Sequence, residues 1–126
     1  MERDNEIKIQ AKSYMLNSNY FQSKVEGDLD MLSTLMEAYM AGAMWADKNP
    51  ADPFTKPSAR SFFNNVCLMR ANQRSFFALA RKKELTNEER EQKQQYLRNS
   101  GYFEGIVDGI IDKAQQTIQR TEGAQQ

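Results

Sequence analysis

Three glycines, Gly101, Gly105 and Gly109, stand at i, i+4 and i+8 in the stretch NSGYFEGIVDGIIDK, Asn99 to Lys113, whose other residues repeat with helical spacing. Each glycine inside a helix costs ~0.5–1 kcal/mol relative to alanine, so a stripe of them needs a compensating contact. Gly101 has a second reading, as the cap of a break after Ser100. The spacing sets the stripe nearly opposite Phe103, Val107 and Ile110, on a face read as turned away from the main core. A face of small residues lets another backbone, or a ligand, come close. Ala38, Gly42 and Ala46 repeat the same spacing upstream. Two such ridges can cross at short distance, within one chain or between copies, and spacing does not choose between the two. The expectation is a helix-packing or oligomer contact at Ala38, Gly42, Ala46, Gly101, Gly105 and Gly109. Ligand approach and no special role are the alternatives.

The rest of the chain also reads as helix. Ile7, Ala11, Tyr14 and Met15 mark a short first helix over about 4–16, followed by a turn at Asn17-Ser18-Asn19. A second helix covers about 20–48, starting near Tyr20 or, with Asp28 as N-cap, after Gly27. In it Val25, Leu29, Leu32, Met36, Tyr39, Ala43 and Ala46 form one apolar seam, and Met31, Leu35, Ala38, Gly42 and Trp45 a second beside it. A helix apolar over most of its circumference must have more than one neighbour, from this chain or from another copy. All three prolines fall in the linker 49–57, where Pro50 stops the second helix and Pro57 fits the opening turn of a third, about 58–83. Phe62, Val66, Met69, Phe76 and Ala80 form the core stripe of that helix, with Gln73 at one core-like position. Thr86 and Glu89 make a capping box that opens a last helix, about 87–119. Its first turns are almost wholly polar and its apolar face resumes at Tyr96; the pattern leaves open whether it is one helix or two. Residues 120–126 read as a frayed tail. The expected fold is all-α: a single four-helix bundle-like domain over 1–126, with the third and fourth helices as a long antiparallel hairpin.

Several classes of function are excluded or made improbable by composition. Histidine is absent, which removes Ser-His-Asp and Cys-His catalysis and His-ligated zinc. Cys67 is the only cysteine, so neither an intrachain disulfide nor a multi-thiolate metal site can form. Its apolar helical context, NNVCLMR, reads as a buried structural thiol. No apolar run approaches the ~20 residues of a membrane span. The start, MERDNEIKIQ, lacks the apolar core of a signal peptide, so the expected location is the cytoplasm, with no membrane partner.

Charge is balanced at zero but segregated. From Pro53 to Lys83 there are seven bases and no acid, while residues 1–52 and 84–126 are both acidic. Within the basic element Arg60, Phe63, Cys67, Arg70, Arg74, Phe77 and Arg81 step by three and four residues, so these side chains share one side of the third helix. Guanidinium forks suit phosphate or carboxylate, and aromatic rings offer stacking planes. Arg60, Phe63, Arg70, Arg74, Phe77 and Arg81 are therefore the candidate ligand-binding residues. Three readings compete: pairing with the chain's own acids, Glu88, Glu89 and Glu91 or Glu104, Asp108 and Asp112; a phosphate-bearing ligand; and an acidic protein partner. Zero net charge disfavours wrapping a nucleic-acid duplex, and a few arginines with aromatics suit a nucleotide-sized molecule better.

Glu104, Asp108 and Asp112 form a carboxylate ladder at i, i+4 and i+8. Such neighbours repel by a few tenths of a kcal/mol, roughly, which a shared Mg²⁺ would relieve. A metal-dependent hydrolase built on this ladder is the enzyme alternative. A solvated or internally paired face is the commoner outcome, and the expectation is no metal, no cofactor and no catalytic residue.

Two segments resemble a known kind of protein. VCLMRANQRSFFALARKK resembles a V-x-x-M-R-x-x-Q-x-x-[FY]-F pattern, matched by Val66, Met69, Arg70, Gln73, Phe76 and Phe77. LRNSGYFEGIVD resembles an L-R-x-S-x-x-[LF]-E-x-x-V-D pattern, matched by Leu97, Arg98, Ser100, Phe103, Glu104, Val107 and Asp108. AYMAGAMWADKNP resembles a helix ending found in the same company. The pair is similar to small helical-hairpin accessory proteins of phages and prophages, although the connection ELTNEEREQKQQY is longer than theirs. That resemblance implies a non-enzymatic accessory protein that acts by binding, and it brings no catalytic residues with it. Combined with the arginine stripe, the expected function is to hold or sequester an anionic, nucleotide-like ligand. The alternative is an oligomeric protein–protein interaction or inhibitor module, with a host protein as a further partner class.

Overall fold

The close approach of two helices organises the molecule. The computed structural model describes residues 2–17, 29–49 and 55–124. These form α1 (Glu2–Asn17), α2 (Leu29–Lys48), α3 (Lys56–Ala80) and α4 (Asn87–Ala124), an all-α bundle without strands among the described residues. The two expected starts of the second helix and its stop at Pro50 lie outside the described residues.

α4 packs most extensively on α2, then on α3, while α1 rests on α2. Gly101, Gly105 and Gly109 all face α2. A Cβ on Gly105 would lie 2.1 Å from the Tyr39 carbonyl oxygen, and one on Gly42 would lie 2.0 Å from that of Tyr102. One on Gly109 would meet the Ala46 Cβ at 2.5 Å, and one on Gly101 would lie 3.2 Å from that of Ala38. The small-residue ridges of α2 and α4 thus cross within one chain. The glycine face, read from the sequence as turned away from the main core, is buried in it, because backbone-to-backbone contact excludes water as well as large side chains do. Contacts advance together along the two helices, Leu35 with Gly101, Tyr39 with Gly105 and Ala46 with Gly109, so α2 and α4 run parallel.

α3 and α4 form the antiparallel hairpin. The Asn99 amide donates to Asn72 Oδ1 at 3.2 Å, the Lys93 ammonium lies 5.5 Å from the centre of the Phe76 ring, and Lys82 pairs with Glu89. Leu35, Phe76 and Leu97 form a buried cluster where α2, α3 and α4 meet, bordered by Phe77, Ala80, Tyr96 and Tyr14. α1 buries Ile7 and Ala11. It runs antiparallel to α2, since Tyr14 stacks on Tyr39 at one end and Arg3 pairs with Asp47 at the other.

α1 begins at Glu2 and takes in Asn17, expected in a turn, and α3 begins at Lys56, inside the expected linker. Two C-terminal ends differ more. α3 stops at Ala80 rather than at 83: the Arg81 N–H still reaches the Phe77 carbonyl, but Lys82 bonds three residues back to Leu79, which tightens and ends the helix. α4 is one helix and runs on to Ala124, so residues 120–124, expected as a frayed tail, are helical. Lys113, Ala114, Gln115, Gln116, Gln119 and Arg120, which lead into that stretch, are good helix formers, and no glycine or proline follows Gly109 before Gly123.

Candidate functional site

Two surfaces lie side by side: a basic ridge along α3 and an acidic groove among α1, α2 and α4. The ridge carries Arg60, Phe63, Cys67, Arg70, Arg74 and Arg81, all exposed, and half-buried Phe77. Phe63 is 67% exposed, so its ring faces water rather than the core. Phe77 meets Phe76 edge-on at 5.2 Å and is held at the border of the buried cluster. The structure therefore keeps the expected ligand-binding residues on one side of α3, with Phe77 the most tightly seated. Among the described residues, no ion pair joins Arg60, Arg70, Arg74 or Arg81 to a carboxylate. Of the acids considered as partners, Glu89 pairs instead with Lys82 in the connection, which holds its carboxyl below the usual range. At the start of α3, Arg60 borders an open hollow of about 580 Å³ with Lys56, Pro57, Ser61, Asn64 and Asn65.

Cys67, expected as a buried thiol, is exposed. It belongs to the ridge, whose other members are exposed except for half-buried Phe77.

The carboxylate ladder lines the groove, which measures about 650 Å³. α1 contributes Ile9, Gln10, Ser13, Tyr14 and Asn17, α2 contributes Tyr39, and α3 contributes Gln73. The stacked rings of Tyr14 and Tyr39, 4.7 Å apart, form part of its wall. The Tyr39 hydroxyl donates to Asp108 Oδ2, and burial together with that bond raises the pKa of the phenol. The Gln10 amide donates to Asp112 Oδ2 at 3.0 Å, and an Arg3 nitrogen approaches the same oxygen at 3.8 Å. Burial raises the Asp108 carboxyl, opposed by the Tyr39 bond and reinforced by Asp112. Glu104 is pushed up to about 7, first by burial and then by repulsion from Asp108. Among the described residues no three His, Cys, Asp or Glu side chains gather into a metal-holding group, the ladder included.

Sequence reasoning found the ladder but not the groove. Gln10, Tyr14, Tyr39 and Gln73 come from three different helices, and only the packing of α2 and α3 on α4, with α1 laid on α2, brings them to the same place as Glu104. One signal was present: Gln73, a polar residue at a core-like position, lies on the groove wall.

No helix among the described residues is long and apolar enough to cross a membrane. Compared with known proteins, the chain matches no family model, no curated protein and no solved structure.

Proposed function

We propose that the protein is a non-enzymatic binding protein of the cytoplasm, of the phage-accessory type its sequence resembles, and that it holds an anionic partner on the Arg/Phe ridge of α3. A nucleotide-like ligand is the class that guanidiniums beside exposed rings suit best. One observation carries the reading: Arg60, Arg70, Arg74 and Arg81 lie exposed on one side of one helix with no carboxylate partner among the described residues. An arginine with a partner already in place has less to gain from an outside anion. Isothermal titration with a panel of mono-, di- and cyclic nucleotides tests it. Saturable heat that disappears in Arg70→Ala plus Arg74→Ala supports the reading; no heat with any nucleotide, or heat unchanged in the variant, rejects it.

The exposed apolar residues favour a second reading, an oligomeric protein-interaction module. Phe63 and Leu68 on α3 are 67% and 45% exposed, and Ile9 and Ile111 at the groove are 70% and 39% exposed. Apolar groups of this size set among charges are common at protein interfaces.

A further inference from the structure

We propose that the chain forms a two-fold dimer in which the basic α3 ridge of each copy lies in the acidic groove of the other. The inference rests on the second reading above and names the partner of the ridge as a second copy of this chain.

The two surfaces are opposite in charge and alike in pitch, and each bears exposed apolar groups. Arg70 and Arg74 are one helical step of i, i+4 apart, as are Glu104 and Asp108, and Asp108 and Asp112. Each step rises about 6 Å along its helix, so consecutive guanidiniums have the same spacing as consecutive carboxylates. The ridge carries exposed Phe63, and the groove carries exposed Ile9 and Ile111. No ion pair joins Arg70 or Arg74 to the ladder within one chain, so meeting the carboxylates takes a second molecule.

Their placement also suits a two-fold axis. Gln73 lines the groove and lies between Arg70 and Arg74 in sequence, on the same helix. Ridge and groove are therefore neighbours on each copy, and one rotation can seat both ridges at once, closing the assembly. Glu104, whose charged form is disfavoured in the single chain, gains a cationic neighbour in the dimer.

Sedimentation velocity on the full chain tests the proposal without any added ligand. A dimer at about 50 mM salt that shifts to monomer by about 500 mM is expected, since screening weakens such pairs. Arg70→Glu plus Arg74→Glu, both exposed positions, should weaken self-association on the order of 100-fold with an unchanged far-ultraviolet spectrum, and Glu104→Lys should do the same. Mixing the two variants should restore a heterodimer, because the acidic ridge of one then meets a groove made less acidic in the other. A wild type that stays monomeric at low salt overturns the proposal, as does a dimer indifferent to the ridge variant or a mixture that fails to associate. If the wild type is monomeric while nucleotides still bind the ridge, the dimer alone falls. If the chain dimerises through another face, this pairing falls while the oligomeric reading survives.

Discussion

Gly105 lies so close to Tyr39 that a Cβ on the glycine would stand 2.1 Å from the tyrosine carbonyl oxygen and 2.8 Å from the next-turn nitrogen of Ala43. Both obstacles are main chain, so neither can swing aside. The contact turns a poor helix former into a requirement of the fold.

Gly105→Ala and Gly42→Ala should therefore destabilise the protein, although alanine is the better helix former by ~1 kcal/mol. Forcing α2 and α4 apart costs about 1–3 kcal/mol or more and outweighs that gain. Gly101→Ala should be milder, because its Cβ would sit 3.0–3.2 Å from its nearest neighbours, one of them the Leu35 side chain. Urea denaturation of the three variants checks the order.

Stability should fall as pH rises through neutrality. Glu104 titrates at about 7 in the folded chain, against 4.5 for a free glutamate. The folded state therefore holds a proton there that the unfolded state has lost, and this contribution is complete below pH 4.5 and gone above 7. The raised Asp108 carboxyl acts in the same direction. The effect of Glu104 is on the order of 3 kcal/mol at most. Urea midpoints measured from pH 5 to 8 should decline, and Glu104→Gln should remove most of the decline.

Arg3 ties α1 to the far end of α2. Its Nε donates to Asp47 Oδ2 at 2.7 Å and its Nη2 to Asp47 Oδ1 at 3.0 Å, a two-pronged pairing that raises the pKa of the guanidinium. The pair is partly exposed, so Arg3→Ala should cost only about 0.5–1 kcal/mol of global stability. Hydrogen exchange should still show a local effect, with amides of α1 exchanging faster while those of α4 keep their protection.

The start of α4 depends on a reciprocal cap. The Glu89 N–H donates to Thr86 Oγ1 at 3.1 Å, and the Thr86 N–H donates to Glu89 Oε1 at 3.2 Å. Thr86→Ala should cost about 1 kcal/mol, and Thr86→Ser should restore most of it. Thermal melts of the two variants give the comparison.

Cys67 should react fully with a maleimide in the native protein, since its thiol is exposed on the ridge. Intact mass should rise by one adduct without denaturant. A chain modified only after unfolding would contradict its placement.

Local features of the fold were legible in the sequence, and features assembled from distant segments were not. The i, i+4, i+8 spacing of Gly101, Gly105 and Gly109 matched that of Ala38, Gly42 and Ala46 because both ridges lie within single helices. Thr86 and Glu89 announced their cap for the same reason: its two bonds span three residues. Arg3 and Asp47 are 44 residues apart, and nothing in either segment marks them as partners. The groove escaped notice because its walls come from separate helices, and Cys67 was misplaced because its apolar sequence neighbours surround it along the chain rather than in space. The exposed Trp45 shows the same limit: its seam pattern suggested burial, yet it is 46% exposed near the end of α2.

The parallel pair α2 and α4 works as a keel. Main-chain atoms touch directly along the crossing, so sliding one helix past the other would drive backbone into backbone at every step. α1 and α3 are held to this keel by side chains, which yield more easily. The outer helices carry the ridge and the α1 side of the groove, while the carboxylate ladder belongs to the keel itself.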